Sequence, residues 1–192
     1  MRVLIACEYS GRVRDAFLKR GHDAWSCDLL PTDSPGPHYQ KDVREVLGLG
    51  WGLMIAHPPC TDLAVSGARH FARKRADGSQ ERSIAFFMLL AQANIPKIAV
   101  ENPVCIMSSV WRKPDQVIHP WMFGHPEAKA TCLWLKGLPR LTPTTVLQKP
   151  ERGYWDNQTP SGQNKLGPSK DRWKIRSATY TGIAHAMASQ WG

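Results

Sequence analysis

The run Trp51-Gly52-Leu53-Met54-Ile55-Ala56 is short, apolar and stopped by His57-Pro58-Pro59. Proline has no amide proton and fixes its own φ, so a paired strand ends there. An apolar run without polar alternation is buried on both faces, which is the pattern of a parallel strand sandwiched between helices. Cys60 then falls in the loop beyond the strand's carboxyl end, where open α/β sheets bind ligands. A second apolar run, Ile98-Ala99-Val100, leads straight into Glu101-Asn102-Pro103. Two such strand ends side by side would bring a thiol and a carboxylate into one crevice.

The order of elements extends this to a Rossmann-like sheet. Val3 to Cys7 reads as a first strand, Gly11 as a turn, and Val13 to Lys19 as a short helix ended by Arg20-Gly21. Ala24 to Cys27 makes a second strand ending in Asp28. A proline-rich loop through Pro31, Pro35 and Pro37 follows, and Asp42-Val43 opens another short element. Ser83 to Ala93 has an apolar helical face and precedes the strand that runs into Glu101. This alternation predicts an α/β protein with a mostly parallel sheet.

With 192 residues, the chain suits one core of ordinary size. At 42% hydrophobic and 21% charged residues it has the composition of a soluble globular protein. Met1 to Ala6 enters a strand at once and no apolar run approaches a membrane span, so neither a signal peptide nor a membrane segment is expected. The net charge of +9 favours polyanionic partners, though it also suits plain solubility. Arg69, Arg73, Lys74, Arg75 and Arg82 surround a loop at Ala76-Asp77-Gly78, and Lys165, Lys170, Arg172, Lys174 and Arg176 follow a turn-rich segment. Each group is either a phosphate-contacting surface or a solvated face. Gly67, Gly78 and the polar residues between them predict a mobile loop over 67–80.

Five cysteines, at 7, 27, 60, 105 and 132, show no Cys-x-x-Cys spacing, which points to reduced thiols in a cell interior. Cys7, Cys27 and Cys132 lie in or beside strands and read as small buried hydrophobes. Cys105 is open. Seven histidines form no zinc pattern, so no metal site is expected.

Glu8-Tyr9-Ser10-Gly11 lies at the first strand's exit, where a glycine allows close passage of a ligand or simply makes a turn. Asp28, at the end of the second strand, stands where a carboxylate accepts ribose hydroxyls or merely terminates the strand. Asp42 is placed to meet an adenine edge. Together they suggest a nucleoside-containing cofactor.

Four motifs in order resemble the DNA cytosine C5 methyltransferase family, especially its compact phage members. Pro58-Pro59-Cys60, continuing through Thr61 to Gly67, is similar to the family's catalytic loop. Glu101-Asn102-Pro103 is similar to its Glu-Asn-Val motif, and Lys41-Asp42-Val43 to its Gly-Asp-Ile. Phe123-Gly124-His125-Pro126-Glu127-Ala128-Lys129-Ala130-Thr131 is similar to its Phe-Gly-Ile-Pro-Gln-x-Arg-x-Arg stretch. The resemblance covers residues 3 to 135. It departs at Glu127, where the family has glutamine, at Lys129 and Thr131, where it has arginines, and in the first motif, where Gly11 stands alone.

The resemblance implies a Rossmann-like methyltransferase fold using S-adenosyl-L-methionine, held by Tyr9, Ser10, Gly11, Asp28, Asp42, Val43 and Pro58. It implies double-stranded DNA with a flipped cytosine as substrate and a place in the cytoplasm of a phage-infected bacterial cell. Cytosine C5 is a poor nucleophile until a thiolate adds to C6, and Cys60 is the candidate thiol with a carboxylate-bearing strand end beside it. Glu101 would hydrogen-bond the N3 and amino edge. By resemblance, Lys129 would contact the cytosine O2 or a phosphate.

The reading divides the chain into a catalytic region, 1–140, a small irregular recognition insert, 141–176, and a C-terminal helix, 177–192, returning to the core. Trp155 and Trp173 offer stacking surfaces in the insert. Two other functions stay open: a noncatalytic DNA-binding or anti-restriction protein on a degenerated methyltransferase fold, and C5 modification of free deoxycytidine nucleotides. Monomer and dimer are both compatible with the sequence.

Overall fold

A computed structural model describes residues 1–192. Seven strands form one sheet in the order β3-β2-β1-β4-β5-β7-β6. They are β1 (Arg2–Ala6), β2 (Asp23–Asp28), β3 (His38–Gln40), β4 (Leu53–Ala56), β5 (Lys97–Pro103), β6 (Gln116–Ile118) and β7 (Thr131–Lys136). β1 to β5 pair in parallel, whereas β7 runs antiparallel to both β5 and β6. The helices are α1 (Arg12–Leu18), α2 (Phe71–Ala76), α3 (Ser79–Ala91), α4 (Met107–Val110), α5 (Arg172–Ser177) and α6 (Thr181–Trp191). No helix is long and apolar enough to cross a membrane.

Strand periodicity divides the core into two layers. Val3 and Ile5 of β1 point with Leu53 and Ile55 of β4 toward α1 and α6, where Phe17, Ile183, Met187 and Trp191 close the layer. Leu4, Ala6, Met54 and Ala56 point the other way, onto Phe87 and Leu90 of α3 and the indole of Trp134. Full burial of side chains such as Phe17 and Met187 contributes about 1.5–3 kcal/mol each. The three indole N–H groups in this core have acceptors: Trp51 Nε1 donates to the Val46 carbonyl, Trp134 Nε1 to that of Arg112 and Trp191 Nε1 to that of Pro139.

Several boundaries differ from the sequence reading. The first strand stops at Ala6, because Cys7 takes a left-handed conformation, φ 59°, that no strand continues. α3 begins at Ser79 rather than Ser83. Its polar first turn carries no apolar signal, and Asp77 Oδ1 accepts the Ser79 N–H at 2.9 Å to start it. The stretch 67–80, expected as a mobile loop, is largely helical, with a 3-10 helix over Val65–His70 leading into α2. Cys105 is buried in the α3-side core.

The sheet's switch point lies between β1 and β4, since β1 leads to β2 on one side and β4 to β5 on the other. The register Ala6↔Ala56 and Ala56↔Val100 sets the ends of β1 and β4 level with Val100 of β5. The residues that follow, Cys7, His57 and Glu101, therefore emerge side by side.

Candidate active site

A cavity of about 1250 Å³ opens over that switch point. One end is lined by Tyr9, Ser10, Asp28 and Leu30, the middle by His57 to Thr61 and Glu101 to Val104, and the far side by Glu127 to Ala130. Asn164 to Leu166 and Arg172 to Tyr180 wall it from the C-terminal part of the chain. Of the large apolar side chains left exposed, Leu30, Val65, Val104, Trp173 and Ile175 all face this cavity. An apolar cleft with few polar groups is the usual form of a small-molecule site.

The loop carrying Cys60 is braced from three directions. Asn102 Nδ2, one residue past Glu101 on β5, donates to the Pro58 carbonyl at 2.9 Å. The Leu63 and Ala64 amides both donate to the Cys60 carbonyl, closing a turn after the thiol. From α2, Lys74 Nζ donates to the Thr61 carbonyl and pairs with Asp62 at 3.1 Å. Asp62 also accepts from Ser83 of α3 at 3.0 Å. Lys74 is buried, so of the basic cluster only Arg69, Arg73, Arg75 and Arg82 are exposed.

Cys60 is exposed at the cavity, yet the walls desolvate its thiol and push its pKa up. The Lys129 and Arg176 cations pull against this, and Glu101 adds to the rise. Glu101 is 12% exposed and accepts from His57 Nδ1 at 2.7 Å. Burial alone disfavours its carboxylate, but the hydrogen bond and charge of His57, with Lys129 farther off, hold its pKa below the usual range. Sequence reasoning missed His57. Its signal was its position, one residue past a central strand, in a stretch read only for its prolines and cysteine.

Seven of the expected site residues meet in this cavity: Tyr9, Ser10, Asp28, Pro58, Cys60, Glu101 and Lys129. Asp28 Oδ1 accepts the Leu30 amide at 3.0 Å, leaving Oδ2 without a protein partner. Lys129 Nζ donates to the Arg176 carbonyl at 2.9 Å, which ties the wall to the C-terminal segment.

Gly11, Asp42 and Val43 stand elsewhere. Gly11 has φ 72° and starts α1, and a Cβ there would meet the Arg14 guanidinium at 2.5 Å, so its glycine serves the turn and the buried arginine. Asp42 is half-buried, capping the 3-10 helix Val43–Glu45 through the Arg44 amide and pairing with the Arg44 side chain. Val43 is in the core. Glu8, near the same turn, is buried and accepts from the Val13 and Arg14 amides at 2.8 and 3.3 Å, so it caps α1 from a distance in sequence.

No family model matches the chain, and no curated protein matches it. Among solved structures it is similar to the Entamoeba histolytica methyltransferase EhMeth, with a TM-score of 0.52 and 12% identity over 77% of this chain. The shared fold is a Rossmann-like α/β fold. The chain spans 57% of that protein's length.

Proposed function

We propose that this chain transfers a methyl group from S-adenosylmethionine to C5 of cytosine in double-stranded DNA through a covalent Cys60 adduct. The observation that carries the reading is the shared cavity. Cys60 follows β4 and Glu101 lies in the adjacent parallel strand β5, and Asp28 with an uncommitted carboxylate oxygen stands at the other end of the same space.

The residues present fit the cofactor. Asp28 Oδ2 is free to accept ribose hydroxyls, Leu30 offers an apolar surface, and Tyr9 and Ser10 complete the end of the cavity over the β1 exit. When bound, S-adenosylmethionine supplies an electrophilic methyl group.

On the substrate side, Cys60 Sγ, as thiolate, forms a bond to C6. The C5=C6 π pair then shifts toward C4 and N3, which makes C5 electron-rich. Glu101 meets the N3 and amino edge, where charge changes during that addition. The raised thiol pKa means that most Cys60 is protonated before substrate binds, and the Lys129 and Arg176 cations favour the thiolate as water leaves the cavity. A cytosine within a duplex must be extruded to reach Cys60. Arg69, Arg73, Arg75 and Arg82 on one side, and Lys165, Lys170 and Arg176 on the other, are exposed to meet phosphates. The reading places the protein in the cytoplasm of a phage-infected bacterial cell.

Purified protein incubated with S-adenosylmethionine and unmodified duplex DNA should yield 5-methyldeoxycytidine when the DNA is digested and its nucleosides weighed, and Cys60→Ala should yield none. The wall formed by α5 favours a second reading, modification of a free deoxycytidine nucleotide. A methylated mononucleotide in a parallel reaction, with unmodified DNA, selects it. Salt-sensitive DNA binding with neither product selects a noncatalytic DNA-binding protein.

A further inference from the structure

Charge and burial conflict most sharply at His57. Its side chain and that of Glu101 are each 12% exposed, joined at 2.7 Å through Nδ1 and Oε2. The other ring nitrogen, Nε2, is sealed from solvent and has no hydrogen-bond partner. Burying a polar group without a partner is costly, so such an arrangement is retained where it serves a purpose or where a ligand completes it. The pair sits in the cavity wall, with His57 three residues before Cys60, and nothing else in the protein hydrogen-bonds to the Glu101 carboxylate. Glu101 Oε1 lacks a partner yet is not sealed off.

The charged groups facing the pair come from three other places. Glu8, after β1, is committed to the amides that start α1. Lys129, before β7, donates to the Arg176 carbonyl. Cys60 follows on the same loop. A proton on His57 Nδ1 therefore has one acceptor in reach, and Nε2 gives it no second outlet.

We propose that His57 is a positioning residue that loads Glu101 with the proton presented to the N3 of an aminopyrimidine, an inference that rests on the cytosine reading above. The resting pair holds imidazolium and carboxylate. When N3 arrives, the Nδ1–H bond breaks, its electron pair stays on Nδ1, and the proton joins the carboxyl. After rotation about the Cγ–Cδ bond, the carboxyl gives that proton to N3. The net change is one proton moved from His57 to the ring, leaving a neutral imidazole and a restored carboxylate. Cys60, having lost its own proton to solvent, adds at C6 and neutralises the ring. A protonated carboxyl serves the acceptor at cytosine N3 and accepts from its amino group, whereas the N3–H and O4 of uracil present the opposite pattern.

The electrostatics agree in direction. Burial opposes charge on His57, but the hydrogen bond and charge of Glu101, with Glu8 adding, hold its pKa above that of ordinary histidine against the push of Lys129.

Two measurements test this together. The first is the ring nitrogen NMR titration of His57 without substrate, in wild type and Glu101→Gln. The second is the pH dependence of the rate at which Cys60 is trapped on duplex DNA containing 5-fluorodeoxycytidine, with S-adenosylmethionine present. The wild-type imidazole should titrate above 6.5 and fall in Glu101→Gln. His57→Asn keeps a neutral donor but stores no proton, so trapping should slow by about 100-fold near neutral pH. The alkaline fall of the wild-type profile should also vanish. His57→Gln should behave alike, and a native melting profile of either variant excludes misfolding. An unchanged rate and pH profile in the folded variants overturns the proposal, as does an imidazole indifferent to Glu101→Gln. A titrating His57 with no wild-type adduct overturns the cytosine reading instead, and with it the proton's destination.

Discussion

The phenol of Tyr9 donates to the backbone carbonyl of Lys174 at 3.1 Å, across 165 residues of sequence. The same hydroxyl lies 3.0 Å from Ser177 Oγ, and the Trp173 indole packs 5.6 Å from the Tyr9 ring. Lys174 Nζ in turn pairs with Asp33 at 3.2 Å, and Arg12 donates to the Thr179 carbonyl at 3.1 Å. The residues following β1 and β2 thus hold α5 against one end of the cavity. A segment whose sequence shows only turns and positive charge becomes a wall through contacts with the opposite end of the chain.

Tyr9→Phe should loosen that wall without unfolding the sheet. It removes a hydroxyl with two partners, worth about 0.5–1.5 kcal/mol per hydrogen bond, and leaves the ring packing in place. Amide exchange over 172–177 should accelerate by about tenfold, while exchange in β1, β4 and β5 should be unaltered. Equal acceleration throughout the chain would instead mean that Tyr9 supports the whole core.

Lys74→Met should destabilise the protein by about 1.5–3 kcal/mol, the range for hydrogen bonds to charged groups. Lys74 is 8% exposed at its side chain and Asp62 25%, so water replaces the lost partner only in part. The Thr61 carbonyl loses its donor as well. Urea denaturation measures the stability loss. Alkylation of Cys60 under native conditions should accelerate too, because one of the three braces on its loop comes from this lysine.

The central strands were legible because local sequence decides them. β1, β4 and β5 each contain an unbroken apolar run, and α6 shows the spacing of Ile183, Ala184 and Met187 on one face. The reversed direction of β7 was not legible, since it depends on pairing Glu101 with Leu133 and Val100 with Trp134 across the fold. The meeting of Cys60 with Glu101 followed from two strand ends. That of His57 with Glu101 depended on register, which a single strand does not specify. Asp42 looked like a ligand to a nucleoside because it opens a short element after the proline-rich loop and resembles a family motif, whereas its carboxylate is satisfied locally by Arg44. α5 carried no helical apolar stripe, and its position comes from Tyr9 and Asp33.

Cys60 should alkylate with a pH midpoint above that of an ordinary thiol, because burial raises its pKa. Lys129 favours the thiolate, so Lys129→Met should move the midpoint farther up. Glu101 opposes the thiolate, so Glu101→Gln should move it down. Iodoacetamide rates followed on the Cys60 peptide by mass spectrometry separate it from Cys27, Cys105 and Cys132, which are buried. Equal midpoints in wild type and Lys129→Met would show that the cation does not reach the sulfur.

The His57–Glu101 pair should leave its mark on stability as a function of pH. His57 has a raised pKa in the folded state, so its contribution is complete below the ordinary histidine value of 6.5 and is lost as pH rises through the folded value. Glu101 has a lowered pKa, so its contribution is complete above the ordinary glutamate value of 4.5 and is lost as pH falls through the folded value. The two contributions overlap fully between 4.5 and 6.5. Glu101→Gln abolishes both, since glutamine cannot ionise and the buried imidazole then favours its neutral form. Melting temperatures of wild type and Glu101→Gln should therefore differ most within that window and converge on either side of it. A difference independent of pH would mean that Glu101 contributes through packing and a neutral hydrogen bond, with no ion pair in the folded protein.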